Sequence, residues 1–296
     1  MAASGGRTKF VIPPFRQSQA MDEEYANRTW QTLHNAIHEI HRQNASGLSF
    51  EELYRNAYNM VLHKFGDKLY NGLVETITLH LRGVAAEVAS CADGDFLPQL
   101  RKTWDKHRLS SIMIRDILMY MDRTYVVAQK KTPVFERGLQ VFRDEVCRNP
   151  RIKDRLLRTL LELVERERCN ETIERGLIKT VTGMLVELGQ EVYQRDFEGP
   201  FLATTAEFYR KESNEYISQN SASEYMRKAE QRLAEEHERV AHYLDKSSEP
   251  RLREVVEREL IAQHMKTLVR RPLYRHPLYI HIYCKSVIPY NSHHKS

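Results

Sequence analysis

From residue 21 onward, the apolar positions of the chain fall at helical intervals. Trp30, Leu33, Ile37 and Ile40 recur at three- and four-residue steps and so share one face of a first helix. Leu53, Ala57, Met60 and Val61 do the same for a second. Its start is legible at Ser49, because Glu52 three residues later completes a capping box, with Leu48 and Leu53 in the staple positions. Further helices are expected at 67–90, 95–109 and 109–128, the last with Ile114, Ile117, Leu118, Met121 and Tyr125 in register. Thr132-Pro133 stops this group, since proline pushes the residue before it out of helical geometry. A second group is expected at 134–148, 151–168, 172–190, 191–219 and 221–245, with Asn149-Pro150 at one boundary. Ser221 and Glu224 form another capping box, and Tyr225, Ala229, Leu233, Val240 and Leu244 make the apolar stripe of a long charged helix. After Ser247–Pro250 a final helix is expected from about 251 to 270.

Successive groups of about five helices suggest an all-α chain of the α-solenoid kind. Residues 1–20 show no periodicity and read as a flexible arm carrying Phe10-Val11-Ile12-Pro13-Pro14-Phe15. Residues 21–132 and 133–250 read as two helical repeats, and 251–269 as the start of a further helical element. From Arg270-Arg271-Pro272 the character changes. Pro277 and Pro289 interrupt an aromatic, His-containing stretch, so 270–296 reads as a divergent, disordered tail.

Composition supports the helical reading, because only 12 Gly and 10 Pro occur in 296 residues. Lys and Arg (45) nearly balance Asp and Glu (40), and no clustered basic stripe appears, so nucleic acid is not an expected partner. Cys91, Cys147, Cys169 and Cys284 lie far apart with no CxxC pair, and Met1 to Phe10 lacks the apolar stretch of a secretory signal. Reduced thiols in a cytoplasmic or nuclear protein are the expectation. No run of about 18 apolar residues occurs, so no membrane span is expected.

Motifs of catalysis do not emerge. The phosphate loop GxxxxGK[ST], a GxGxxG after a strand, GxSxG and HExxH are all missing, and an enzyme is not expected. His34, His38 and His41 set three imidazoles along one side of the first helix. Glu39 and Arg42 sit among them and no sulfur ligand is near, so the row is expected to be a solvated polar face, with no metal or other cofactor. His293-His294 read as incidental. A binding surface is better supported. Phe50, Tyr54 and Tyr58 make a second row on the second helix, rotated by roughly 100° from the Leu53 row. One apolar stripe suffices for an ordinary surface helix, so the extra row faces either another helix or a partner. Tyrosine suits an interface, having apolar area and a hydroxyl that tolerates water. Glu51 and Arg55 border the row as a polar rim.

Several long motifs then occur in order. Gly47-Leu48-Ser49-Phe50-Glu51-Glu52-Leu53-Tyr54-Arg55-Asn56-Ala57-Tyr58 and Met60-Val61-Leu62-His63-Lys64 closely resemble the start of the cullin family. Met113-Ile114-Arg115-Asp116-Ile117-Leu118-Met119-Tyr120-Met121-Asp122-Arg123 looks like its later companion. Val192-Tyr193, Asp196-Phe197-Glu198, Glu238-Arg239-Val240 and Leu260-Ile261-Ala262-Gln263-His264-Met265 also match. The resemblance covers roughly Phe10 to Val269 and is similar to the N-terminal part of the BTB-adaptor-binding branch. It implies an elongated α-solenoid of five-helix cullin repeats, a non-catalytic scaffold of a ubiquitin ligase complex. It further implies a first repeat that docks BTB-domain substrate adaptors through its second and fifth helices.

Carried over by motif, the contacts are Leu48, Phe50, Glu51, Tyr54 and Tyr58, with Tyr120 and Arg123 opposite. Ile12 and Phe15 look like the apolar contacts of the arm. The third repeat and the region that holds the RING subunit and accepts Nedd8 have no counterpart here. The expectation is therefore of a truncated chain that holds an adaptor, does not recruit the RING subunit, and competes with the full-length cullin. The abrupt tail also motivates a partial gene model or aberrant splice product without a stable role.

Overall fold

The computed structural model describes residues 22–270, with side chains through Leu268. The arm with Ile12 and Phe15, and the tail from residue 271, lie outside the described residues. Those described form helices joined by short turns and loops, without a strand. They divide into two compact units.

The described residues up to Leu79, together with Leu109–Gly138, make the first unit. It contains α1 (Glu23–His41), α2 (Phe50–Leu62) and the first part of α3 (Gly66–Ser90). It also holds the end of α4 (Phe96–Ile117), the short α5 (Met119–Met121) and a π-helical turn over Asp122–Val126. Asp22 caps α1 by accepting the Tyr25 N–H at 2.7 Å, and Ser49 caps α2 by accepting that of Glu52 at 3.4 Å. Both helices end in Schellman motifs on a residue in the left-handed region, Gln43 (φ 63°) and Lys64 (φ 69°). After α2, the Phe65 N–H bonds the Met60 carbonyl at 2.8 Å and the Lys64 N–H bonds that of Val61 at 3.1 Å. Gln43 also fastens α1 to α4, its amide donating to Ser110 Oγ at 3.0 Å.

The core of this unit is the expected one. Leu33, Ala36 and Ile37 of α1, Leu53 of α2, and Ile114, Ile117 and Leu118 meet around a void of about 10 Å³, the lower limit for one water. Trp30 lies against α3, where a Cβ on Gly72 would stand 2.5 Å from its ring. The expected helices at 95–109 and 109–128 are differently divided. α4 runs unbroken through Asp105–Arg108, because Thr103, Trp104, His107, Ser110, Ser111 and Ile114 continue one buried stripe at helical steps. Polar members disguise that stripe in the sequence.

His80–Arg108 and the described residues from Leu139 on make the second unit. After the end of α6 (Val134–Phe142) and a π turn over Arg143–Cys147 come α7 (Pro150–Arg168), α8 (Arg175–Leu188) and α9 (Gln190–Tyr193). Another π turn, Gln194–Glu198, leads into α10 (Gly199–Gln219), α11 (Ala222–Tyr243), α12 (Glu249–Leu260) and α13 (Met265–Arg270). The capping box of Ser221 and Glu224 forms with both reciprocal bonds.

At the centre lies a buried charge cluster. Glu236 accepts from Arg168 Nε at 2.8 Å and from Arg239 Nη1 at 2.9 Å, and the Tyr209 hydroxyl also donates to it. Glu167 accepts from Arg239 Nε at 3.2 Å and from the Tyr243 hydroxyl at 2.6 Å. The Arg168 guanidinium lies over the rings of Phe201, Phe208 and Tyr209. Burial alone would raise the pKa of Glu236, but the Arg168 and Arg239 guanidiniums hold it below the ordinary value of 4.5.

A carboxylate with a depressed folded pKa contributes stability above its unfolded pKa and loses it as pH falls through the folded one. The urea midpoint of the second unit is therefore expected to drop as pH is lowered below about 4.5, the ordinary glutamate value. Glu236→Gln leaves two buried guanidiniums short of a counter-charge and should cost roughly 3 kcal/mol at pH 7. The same variant should flatten the acid limb of the urea-midpoint profile. A midpoint unchanged at pH 7 would show that the cluster does not hold the unit together.

Candidate functional site

The aromatic row of α2 is placed by the core beneath it. Leu53, Ala57 and Met60 are buried, with Val61 half-buried beside them, which turns the opposite edge of the helix outward. There Phe50 is 38% exposed, Tyr54 and Tyr58 are half-buried, and Leu48 just before the cap is half-buried. Glu51 is exposed and pairs with Arg55 at 3.1 Å. The rings are thus not sealed inside the unit.

Tyr120 and Arg123 come from the segment packed beside α2. α4 stops at Ile117, and Leu118 (φ −98°, ψ 14°) breaks the helix before α5 resumes. Met121 is fully buried and anchors the segment, while Tyr120 is half-buried and Arg123 exposed. The π turn that follows takes an extra residue into its loop and so shifts the facing of later side chains. The Thr124 hydroxyl donates to the Tyr120 carbonyl at 2.6 Å, and the Asp122 carboxylate accepts the Val134 N–H at 2.9 Å. Burial raises the pKa of Asp122, a shift opposed by that N–H bond. Further along, Tyr125 donates to Asp67 at the start of α3, and Lys131 Nζ binds the same carboxylate at 3.0 Å. Hydrogen bonds from Tyr125 and Lys131 lower the Asp67 pKa.

Tyr58 and Tyr120 bring the two elements together, their ring centroids 4.5 Å apart and tilted by 52°. Leu48, Phe50, Glu51, Tyr54, Tyr58, Tyr120 and Arg123 therefore all lie on the adjoining α2 and α5 segments, each at least partly open to solvent. Ile12 and Phe15 lie outside the described residues. One neighbour escaped the sequence reading: Leu62 is 53% exposed and continues the four-residue step of Phe50, Tyr54 and Tyr58. That step was its signal. Among the described residues no group of three or more His, Cys, Asp or Glu side chains could hold a metal ion. No helix there is long and apolar enough to cross a membrane.

A face of tyrosines, a phenylalanine and a leucine with an ionic rim can bury apolar area against a protein surface. The model of the cullin α-solenoid domain matches residues 30–280. The chain belongs to the cullin family. It is 52% identical to Cullin-3A of Arabidopsis thaliana over 263 residues, which are 89% of this chain and 36% of that protein. Cullin-3 of Dictyostelium discoideum is 51% identical over 251 residues, 84% of this chain and 33% of that one. Cullin-4A of Homo sapiens is 31% identical over 276 residues, 91% of this chain and 36% of that protein. The chain spans about a third of the length of these cullins, and the matched part of the cullin-3 proteins is their N-terminal region.

The Tyr58–Tyr120 contact should be measurable in the isolated chain. A double-mutant cycle of Tyr58→Ala and Tyr120→Ala in urea unfolding should give a coupling of about 1 kcal/mol, as for packed aromatic pairs. Additive effects would mean that the rings do not tie α5 to α2.

Proposed function

We propose that this chain is the adaptor-docking part of a cullin scaffold and binds BTB-domain substrate adaptors through α2 and the α5 segment. The observation that carries this reading is the open aromatic row, held in place from below by a fully formed core. Phe50, Tyr54 and Tyr58 supply the apolar centre, Tyr120 extends it, and Glu51 and Arg123 supply charge at its edge. Ile12 and Phe15 of the arm add apolar contacts. The protein performs no chemistry of its own. It positions an adaptor with its substrate, in the cytoplasm and the nucleus. The RING subunit is not expected to bind these 296 residues.

Tyr54→Lys should weaken binding to a BTB domain by about 2 kcal/mol or more, roughly thirtyfold, the loss typical of a central aromatic anchor. Because Tyr54 is only half-buried, thermal unfolding of the chain should shift little. Unchanged affinity in surface plasmon resonance would remove this row from the interface. In a competition pull-down, these 296 residues should displace full-length cullin-3 from a BTB adaptor without capturing the RING subunit. Failure to displace it at any excess would count against the docking reading as a whole.

A further inference from the structure

We propose that His34 and His38 of α1 form a two-imidazole site for a late first-row divalent cation of the Ni(II) and Cu(II) type, with water filling the remaining positions. The observation is geometric. Four residues apart on one helix face, the two side chains meet with their Nε2 atoms 3.2 Å apart. For metal–nitrogen bonds of about 2.05 Å, that separation corresponds to an angle of about 103° at a shared ion, between square-planar and tetrahedral values. The ring centroids are 4.4 Å apart with the planes at 79°, and χ2 of an imidazole is a soft torsion through which the two rings can turn toward a shared ion.

The surroundings suit the site. The Trp30 ring closes one side, edge-on to His34 with centroids 5.7 Å apart. The Gln31 amide lies 3.5 Å from His34 Nδ1, in place to orient the ring through its second nitrogen. Without an ion, one neutral ring donates its Nε2–H to the other. With an ion that proton moves to Nδ1; if His34 was the donor, Gln31 turns its amide oxygen toward it, so the net charge of the rings does not change. Arg42 is the nearby cation opposing an ion, and Glu39 offsets it through their 2.9 Å pair.

The expected row of three imidazoles on a solvated face is thereby divided. His41 is buried, and His34 and His38 face one another. Imidazole nitrogen prefers Ni(II) and Cu(II) over earlier divalent ions, and two ligands make an exchangeable site rather than a structural one.

Nickel chloride titrated into the full chain tests this, because Ni(II) is paramagnetic and does not oxidise Cys91 or Cys169. Trp30 emission should fall saturably, and His34→Gln and His38→Gln should each raise the midpoint at least tenfold. Trp30→Phe should remove the quenching while equilibrium dialysis still shows the ion bound. Non-saturating quenching, or a midpoint unchanged in His38→Gln, would overturn the proposal and assign the ion elsewhere, for example to His293-His294.

Discussion

The face that α2 shows to solvent is decided by what it buries. Leu53, Ala57 and Met60 are all but inaccessible, and Leu53 meets residues of α1 and α4 across a void of about 10 Å³. Burying a leucine or a methionine stabilises by about 1.5–3 kcal/mol each. Turning α2 by one residue, about 100°, would expose that row and put either the polar Glu52, Asn56 and Asn59 or the bulkier Tyr54 and Tyr58 in its place. The helix is consequently locked in rotation. Phe50, Tyr54 and Tyr58 are open because the core leaves them no other position, and the Schellman closure at Lys64 holds the far end of the helix in the same register.

The second unit is organised by charge. A buried ion pair contributes little net stability compared with apolar packing, because desolvation of both partners offsets their attraction. It does discriminate between arrangements. Glu236 Oε1 gathers its three donors only when Arg168 of α7, Tyr209 of α10 and Arg239 of its own helix arrive together. The family motifs of this unit sit in such places. The Tyr193 hydroxyl shares a hydrogen bond with Ser248 at 2.9 Å, Glu198 accepts from Arg251 at 2.7 Å, and His264 meets Ser213 at 2.9 Å. The cullin resemblance therefore reads two kinds of constraint: surface aromatics in the first unit and internal polar contacts in the second.

That division explains what could be read from the chain beforehand. Apolar periodicity and hydroxyl caps are local signals, and α2 and α11 begin where Ser49 and Ser221 place them. Helix ends were harder. Gln43, Lys64, Lys130 and Asn170 all take the left-handed conformation without a glycine to announce it. The buried charges were hidden by composition, since Arg232, Glu236 and Arg239 belong to a helix rich in solvated charges. Their signal was spacing: 232, 236, 239 and 243 step along α11 like core positions beside Tyr225 and Ala229. The same cause hid the continuity of α4, whose stripe passes through Thr103, His107 and Ser110.

The sequence alone left the aromatic row between interior and interface, and the structure bears on that choice through Tyr58. A core tyrosine in this chain looks like Tyr209 or Tyr243: fully enclosed, with its hydroxyl bound to a buried carboxylate. Tyr58 is different, half-open and leaning on Tyr120, itself half-open. Two rings that already restrict each other have less rotamer freedom to lose when a partner covers them, which lowers the entropic cost of association. An arrangement both pre-ordered and uncovered is poor use of a core residue and good use of an anchor, and for this reason the docking proposal is placed on the α2–α5 face rather than on the more enclosed aromatics of the second unit.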